Sequence, residues 1–346
     1  MVAKAMADGD FVRAAQLRGS SFQRNLETCL QMGRIQPKHL EGDKQYSYTL
    51  AVMNVGAPAC GVNSAVRSFV KHSIWQGCRV LGIHDGFEGL LRGDVKEFDW
   101  KSVYGWTSLG GSLLGTLRLE AKKVGFAKIA QKLKEFKIQG LLIIGGFEAY
   151  LSVIQMSEQR EKFEEFRIPL ICAPATISNN VPGSDLSIGC DTALNEIVTV
   201  NFSFYFKNLM KKILRFQLKK ICDKLKLSAI GSKRRVFLVE TMGGHCGYLA
   251  SLAGFASGAD QSYIYEEPFT INDIIDDIHH LRLKMEGDLK RGLLLRNELA
   301  NPHYTTDFLT NLLIEEGKNV FTARSNVLGH MQQGGVPTPF DRNLGN

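Results

Sequence analysis

The chain has 346 residues, 44% of them hydrophobic, with 42 Lys and Arg against 35 Asp and Glu and a net charge of +7. That length suits two domains or one large one around a real core, and there is no run of eighteen apolar residues and no signal-like N-terminus; with seven cysteines and no C-x-x-C pair, the sequence predicts a cytoplasmic protein and argues against membrane-spanning, secreted, disulfide-framed and zinc-cluster classes. Six of the basic residues and no acidic one fall in 201–220, and without them 36 basic residues face 35 acidic, so the charge is one segment and predicts no nucleic-acid surface.

Residues 1–45 are polar and partly helical and read as an arm or linker. Short apolar runs rich in β-branched residues follow: TLAVMN (49–54), RVLGI (79–83), GLLII (140–144), IPLICA (168–173), VFLVE (236–240) and SYIYE (262–266). They alternate with stretches of helical period, which predicts an α/β fold with a parallel sheet under covering helices. Glycines mark the expected strand-to-helix turns, Gly56 and Gly61, Gly82 and Gly86, Gly145 and Gly146, Gly243 and Gly244, and in open parallel sheets those turns line the ligand crevice.

The first such loop, NVGAPACGVN (54–63), opens a helix at Asn63, where backbone N–H groups can face a phosphate; the same glycines also serve a plain tight turn. GGSLLGTLR (110–118) is a second glycine-rich loop ending in Arg118, within reach of an anion, and IIGGFEAY (143–150) is a third. In PATISNNVPGSD (174–185) a strand runs out into Thr176, Ser178, Asn179 and Asn180, short polar side chains suited to sugar hydroxyls. Within 201–220, Phe206, Leu209, Met210, Ile213, Leu214, Phe216 and Leu218 recur near helical spacing with lysines between them. A basic amphipathic helix of that kind fits an acidic lipid surface or a calmodulin-like partner, and equally a solvated extension. Ile271, Ile274, Ile275, Ile278, Leu281 and Met285 predict an amphipathic helix packed on the core. RRVFLVETMGGHCGY (234–248), LLLRNE (293–298), ARSNVLGHMQQGG (323–335) and TPFDR (338–342) complete the set.

In this order the motifs resemble the eukaryotic ATP-dependent 6-phosphofructokinases, specifically the C-terminal, regulatory half of their duplicated chain, over residues 10–346 except 201–220, which look inserted. The resemblance implies two Rossmann-like three-layer α/β lobes with ligand between them. The larger would hold 46–189 and 330–346 and the smaller 190–329. It also implies that the chain begins at the family's interdomain linker and stops short of a closing segment that carries another phosphate-binding Arg.

Catalytic halves of the family read T-I-D-N-D in the sugar loop, and the first Asp accepts the proton of the attacking hydroxyl. Here that place is Ser178, and the second Asp is Asn180. Their metal-bearing G-G-D-G-S loop is Gly145-Gly146-Phe147-Glu148-Ala149, their first loop carries Gly and Asp where Ala57 and Pro58 stand, and the Arg after M-G is Gly244. Gly56, Gly61, Gly145 and Gly146 thus outline a degenerate nucleotide loop. MgATP belongs to the family's reaction, and no catalytic residue, metal or cofactor is expected on this chain.

The sugar site is expected to persist. Arg235, Arg324 and His330 would face sugar phosphates, the two arginines serving a pocket completed by a neighbouring subunit or half. Glu298 would accept from hydroxyls, and Thr176, Ile177, Ser178, Asn179, Asn180, Met242, Gly243 and Gly244 would form the walls. Arg118, Met331, Gln332 and Gln333 would complete the second phosphate pocket. The implied ligand is fructose 2,6-bisphosphate or a related sugar phosphate, and the implied partners are other phosphofructokinase chains. Read singly, Arg235 is a solvated charge, His330 a structural histidine and Glu298 a surface partner of Arg296; the shared motif order overrides these readings. Two rival functions remain: an active MgATP-dependent subunit, with Asp185 or Glu148 as its base, and a membrane- or partner-binding module acting through 201–220.

Overall fold

The computed structural model describes residues 47–198 and 234–346 apart from 288 and 290, together with Arg13, Cys222 and Leu225. The expected arm, Arg13 apart, and the basic stretch 201–220 with its lipid or calmodulin-like contact lie outside the described residues.

Five strands, β1 (Thr49–Val55), β2 (Arg79–Ile83), β3 (Val95–Phe98), β4 (Gly140–Gly145) and β5 (Leu170–Pro174), form a sheet in the order β3-β2-β1-β4-β5. Between and after them run α1 (Val62–Trp75), α2 (Gly86–Arg92), α3 (Ala121–Val124), α4 (Phe126–Glu135), α5 (Phe147–Glu158) and α6 (Cys190–Val198). Successive residues of a strand face opposite sides. On one face Met53, Ile83, Leu141 and Ile143 meet Phe87, Leu90, Ile129, Leu133 and Met156 of α2, α4 and α5. On the other, Val52, Val80 and Ile144 meet Val62, Val66 and Val70 of α1.

The expectation of a wholly parallel sheet needs one correction, because β3 pairs antiparallel with β2. Its sequence, VKEF, is too short and too charged to carry a strand signal, and such charges blunt an edge. Gly82 also lies inside β2 and not in a turn: a Cβ there would stand 2.5 Å from the Phe98 ring.

The second sheet, in the order β7-β8-β6-β9, contains β6 (Arg235–Thr241), β7 (Gln261–Tyr263), β8 (Arg291–Asn297) and β9 (Thr322–Val327), all parallel. Its helices are α7 (Tyr248–Ser257), α8 (Ile271–Glu286) and α9 (Thr306–Glu316). Val236, Leu238 and Leu294 pack toward α8 and α9, while Phe237, Val239, Leu293 and Leu295 pack toward α6 and α7. The α8 stripe buries Ile274, Ile278, Leu281 and Met285 and leaves Ile271 and Ile275 outside. β7 is shorter than the 262–266 expected, because the chain turns away to bring the Glu266 carboxylate 2.8 Å from Gly247 N, just before α7.

A last helix, α10 (Pro339–Gly345), packs on α1 and α6. Its buried Asp341 accepts hydrogen bonds from Gly189 N (2.8 Å), Thr192 N (2.7 Å) and the Thr192 hydroxyl, satisfying free N–H groups at the start of α6. β1 lies between β2 and β4, so the crevice of the first sheet opens at the carboxyl ends of β1 and β4. In the second sheet, β6 lies between β8 and β9 and runs out into Met242-Gly243-Gly244.

Candidate functional site

At the end of β1, Gly56 takes φ 108°, a region glycine tolerates. Its N–H donates to Leu117 O (3.0 Å) and its C=O accepts from Thr116 Oγ1 (2.8 Å), which lays the 110–118 loop against this strand. Asn63, expected to open a helix toward a phosphate, instead holds that loop. Its buried amide donates to the carbonyls of Leu109, Gly110 and Gly111, and its Oδ1 accepts from Leu113 N (2.9 Å). The N-terminus of α1 is closed by the chain itself, since a Cβ on Gly61 would lie 2.7 Å from Ile188 and 3.0 Å from Asp341 O. Of the two readings of this loop, a helix start facing phosphate or a plain tight turn, the close packing at Gly61 favours the turn. Arg118 is exposed and makes no ion pair among the described residues.

The ends of β1, β4 and β5 converge. A Cβ on Gly145 would collide with Val55 O at 1.7 Å, one on Gly146 would lie 3.3 Å from Thr176 Cβ, and one on Gly56 would lie 3.4 Å from Gly146 N and 3.1 Å from Glu148 Oε2. Mg²⁺ takes oxygen ligands. Where the resemblance puts a metal-binding Asp, the exposed ring of Phe147 lies against Tyr150 with centroids 6.3 Å apart. The Phe147 side chain offers that ion no oxygen. Glu148, one position on, turns its carboxylate over Gly56 instead.

From the end of β5 the Thr176–Asn180 turn leads toward the second sheet. Thr176 is buried, and its Oγ1 accepts from Ser178 N (3.2 Å). Asn179 takes φ 52°, which Asn tolerates better than most residues. Its Oδ1 accepts from Ser187 N (2.8 Å) and its Nδ2 donates to Asp185 O (3.1 Å). Asn179 therefore braces the turn, whereas the half-buried Ser178 and the exposed Asn180 keep side chains without hydrogen bonds among the described residues. Ile177 packs into the α1-side core of the first sheet and the α6/α7-side core of the second, which makes it a joint between the sheets. Asp185, the rival base, is exposed beyond this turn.

At the end of β6, Met242 N donates to Gln332 Oε1 (3.2 Å), and Gln332 is buried with its Nε2 on Gly329 O (2.8 Å). Gln332 is thus a brace, and it holds the 3₁₀ turn Gly329–Gln333 against the crevice, with His330 and Met331 exposed and Gln333 half-buried. Gly243 and Gly244, at φ 146° and 57°, donate their N–H groups to Glu298 Oε1 at 3.1 and 2.9 Å. Glu298 follows β8, and its own N–H donates to Thr241 O (2.9 Å).

Arg296 does not pair with the Glu298 carboxylate at the surface. It is buried, and its guanidinium donates to Glu240 Oε2 (3.2 Å) and to the carbonyls of Glu298, Asn301 and Tyr304. Burial lowers its pKa against the opposing pull of Glu240. A cleft of about 470 Å³ lined by Glu240, His245, Tyr265 and Arg296 opens beside Glu298. The sequence signal for this Arg was its place inside LLLRN, where strand alternation with leucines implies burial.

Arg235 and Arg324 are not brought to this crevice. Arg235 opens β6, seven positions before Met242, which at about 3.3 Å per residue places it roughly 20 Å away along the strand. Arg324 pairs in register with Phe237 on the neighbouring strand, so the two arginines share one sheet face at the amino-terminal end. Arg235 Nε is buried without a hydrogen-bond partner among the described residues.

The phosphofructokinase family model matches residues 49–203 and 217–346, and the interruption falls within the stretch that resembles an insertion. The human ATP-dependent 6-phosphofructokinase, muscle type, is 53% identical over 343 residues, covering 99% of this chain and 41% of that protein. An ATP-dependent 6-phosphofructokinase of Schistosoma mansoni is 49% identical over 345 residues, covering 99% of this chain and 42% of that protein. A solved phosphofructokinase from Saccharomyces cerevisiae superposes with a TM-score of 0.87 at 36% identity, covering 99% of this chain and 43% of the solved one. The chain spans about two-fifths of the length of these curated relatives.

Proposed function

The chain belongs to the phosphofructokinase family, and from that premise we propose that it forms the regulatory portion of an ATP-dependent 6-phosphofructokinase, holding fructose 2,6-bisphosphate between its two sheets without transferring a phosphoryl group itself. The observation that carries this reading is the Thr176–Asn180 turn, folded and braced through Asn179, with a hydroxyl at Ser178 where a proton acceptor would be needed. Loss of positioned proton transfer alone costs about 10² to 10⁴ in rate. Phe147 removes a metal ligand, and Gly244 a cation for the transferring phosphoryl.

Binding asks for less. Glu298, anchored on two backbone N–H groups, keeps its other carboxylate oxygen for a sugar hydroxyl, and Ser178 and Asn180 supply short polar side chains opposite. Arg118, His330 and Gln333 supply groups for a phosphate. Arg235 and Arg324, at the far end of the second sheet, serve the pocket of a neighbouring phosphofructokinase chain, so the protein works as part of an assembly in cytoplasmic glycolysis. Regulation then means that the bisphosphate binds two assembled states with different affinity.

The experiment is a thermal-unfolding comparison of the purified chain with fructose 2,6-bisphosphate, fructose 6-phosphate and MgATP. The bisphosphate is expected to raise the midpoint most. Stabilisation by MgATP and none by the bisphosphate would overturn the reading.

A further inference from the structure

The crevice where β1, β4 and β5 end is built for close backbone approach, because Gly56 and Gly146 leave it without side chains. Space of that kind beside backbone N–H groups is what a phosphate uses. Here it is already occupied. The Glu148 carboxylate lies over Gly56, with Oε2 at 3.1 Å from the position of a Cβ on Gly56 and 3.7 Å from one on Gly146. Its oxygens form no ion pair or hydrogen bond among the described residues, so a cation does not hold it there. What favours the position is the first turn of α5, where negative charge is stabilised.

We propose that Glu148 is an internal anion that closes the crevice at the ends of β1 and β4 to phosphate groups. Its carboxylate fills the volume that a phosphate oxygen would take and sets a like charge against it. The proposal rests on the reading above, that this end of the molecule has left phosphoryl transfer, and it adds the residue that enforces the change. Ala57 and Pro58 obstruct by shape; Glu148 excludes by charge and therefore discriminates by the sign of the ligand.

The test uses the chain in three forms, unchanged, Glu148→Gln and Glu148→Ala, titrated calorimetrically with inorganic tripolyphosphate, the anionic part of a nucleotide without its base. Glu148→Gln keeps the side-chain volume and removes only the charge, which guards against a variant that fails through packing. Both variants are expected to bind the probe at least about tenfold more tightly than the unchanged chain, with the gain shrinking as salt is added. Equal affinity in all three, or tightest binding by the unchanged chain, would overturn the proposal. Fructose 2,6-bisphosphate is titrated alongside: if none of the three responds to it, the functional reading fails, while the tripolyphosphate series still decides the role of Glu148.

Discussion

Glu298 Oε1 accepts two backbone N–H groups from glycines in conformations that few other residues adopt, so one carboxylate fixes the Gly243–Gly244 part of the turn while Gln332 holds Met242. Glu298→Ala leaves both donors without their acceptor and is expected to lower stability by about 1–3 kcal/mol in urea unfolding. It should also abolish the thermal shift given by fructose 2,6-bisphosphate; a variant as stable and as responsive as the parent would show that the turn holds itself. His84 carries a different liability. Its Nε2 is buried without a hydrogen-bond partner among the described residues, its ring meets Phe98 edge-on, and burial lowers its pKa from the ordinary 6.5. The folded state therefore favours the neutral ring. The stability it contributes is present above pH 6.5 and is lost as pH falls through the lowered folded value. Urea midpoints measured from neutral to mildly acidic pH should fall more steeply for the parent than for His84→Phe, and parallel curves would contradict this.

The elements were legible in proportion to how continuous their signal was. GLLII and VFLVE became β4 and β6 with their bounds shifted by a residue, because an unbroken apolar run between glycine-bearing turns has one sensible reading in a parallel sheet. VKEF and TARSNV carried no such run, yet both are strands, held by neighbours on one side and left polar where they form an edge. The site was legible in its loops and not in its division of labour. Which of Asn179 and Asn180 turns inward is decided by one backbone angle, and Gln332 became a brace because Met242 N lies above it. The distance of Arg235 from the crevice, by contrast, follows from its place at the start of a strand whose other end lines the ligand. α8 offers a direct check on pattern reading. Thr270 and Asp273 form a capping box at its start, so Thr270→Ala is expected to cost about 1 kcal/mol. Leu281→Ala, in the buried stripe, is expected to cost about 2–5 kcal/mol. A Leu281→Ala loss no larger than that of Thr270→Ala, measured by urea unfolding, would place the helix outside the core.

At the scale of the molecule, two sheets present their carboxyl ends to a shared crevice, joined through Ile177 and through Asp341, which ties α10 to α6. The second sheet offers an anchored carboxylate at Glu298. The first offers Ser178, Phe147 and Glu148, a hydroxyl, an aromatic ring and a carboxylate set over Gly56, and under the proposed function this set binds without phosphoryl transfer. An assembly of such chains with catalytic partners would then read a sugar bisphosphate here and perform chemistry elsewhere. The most direct measurement is the release of ADP by the purified chain supplied with MgATP and fructose 6-phosphate, in a preparation that fructose 2,6-bisphosphate stabilises against heat. The account predicts no release above the protein-free control, and sustained stoichiometric formation of ADP and fructose 1,6-bisphosphate would contradict it.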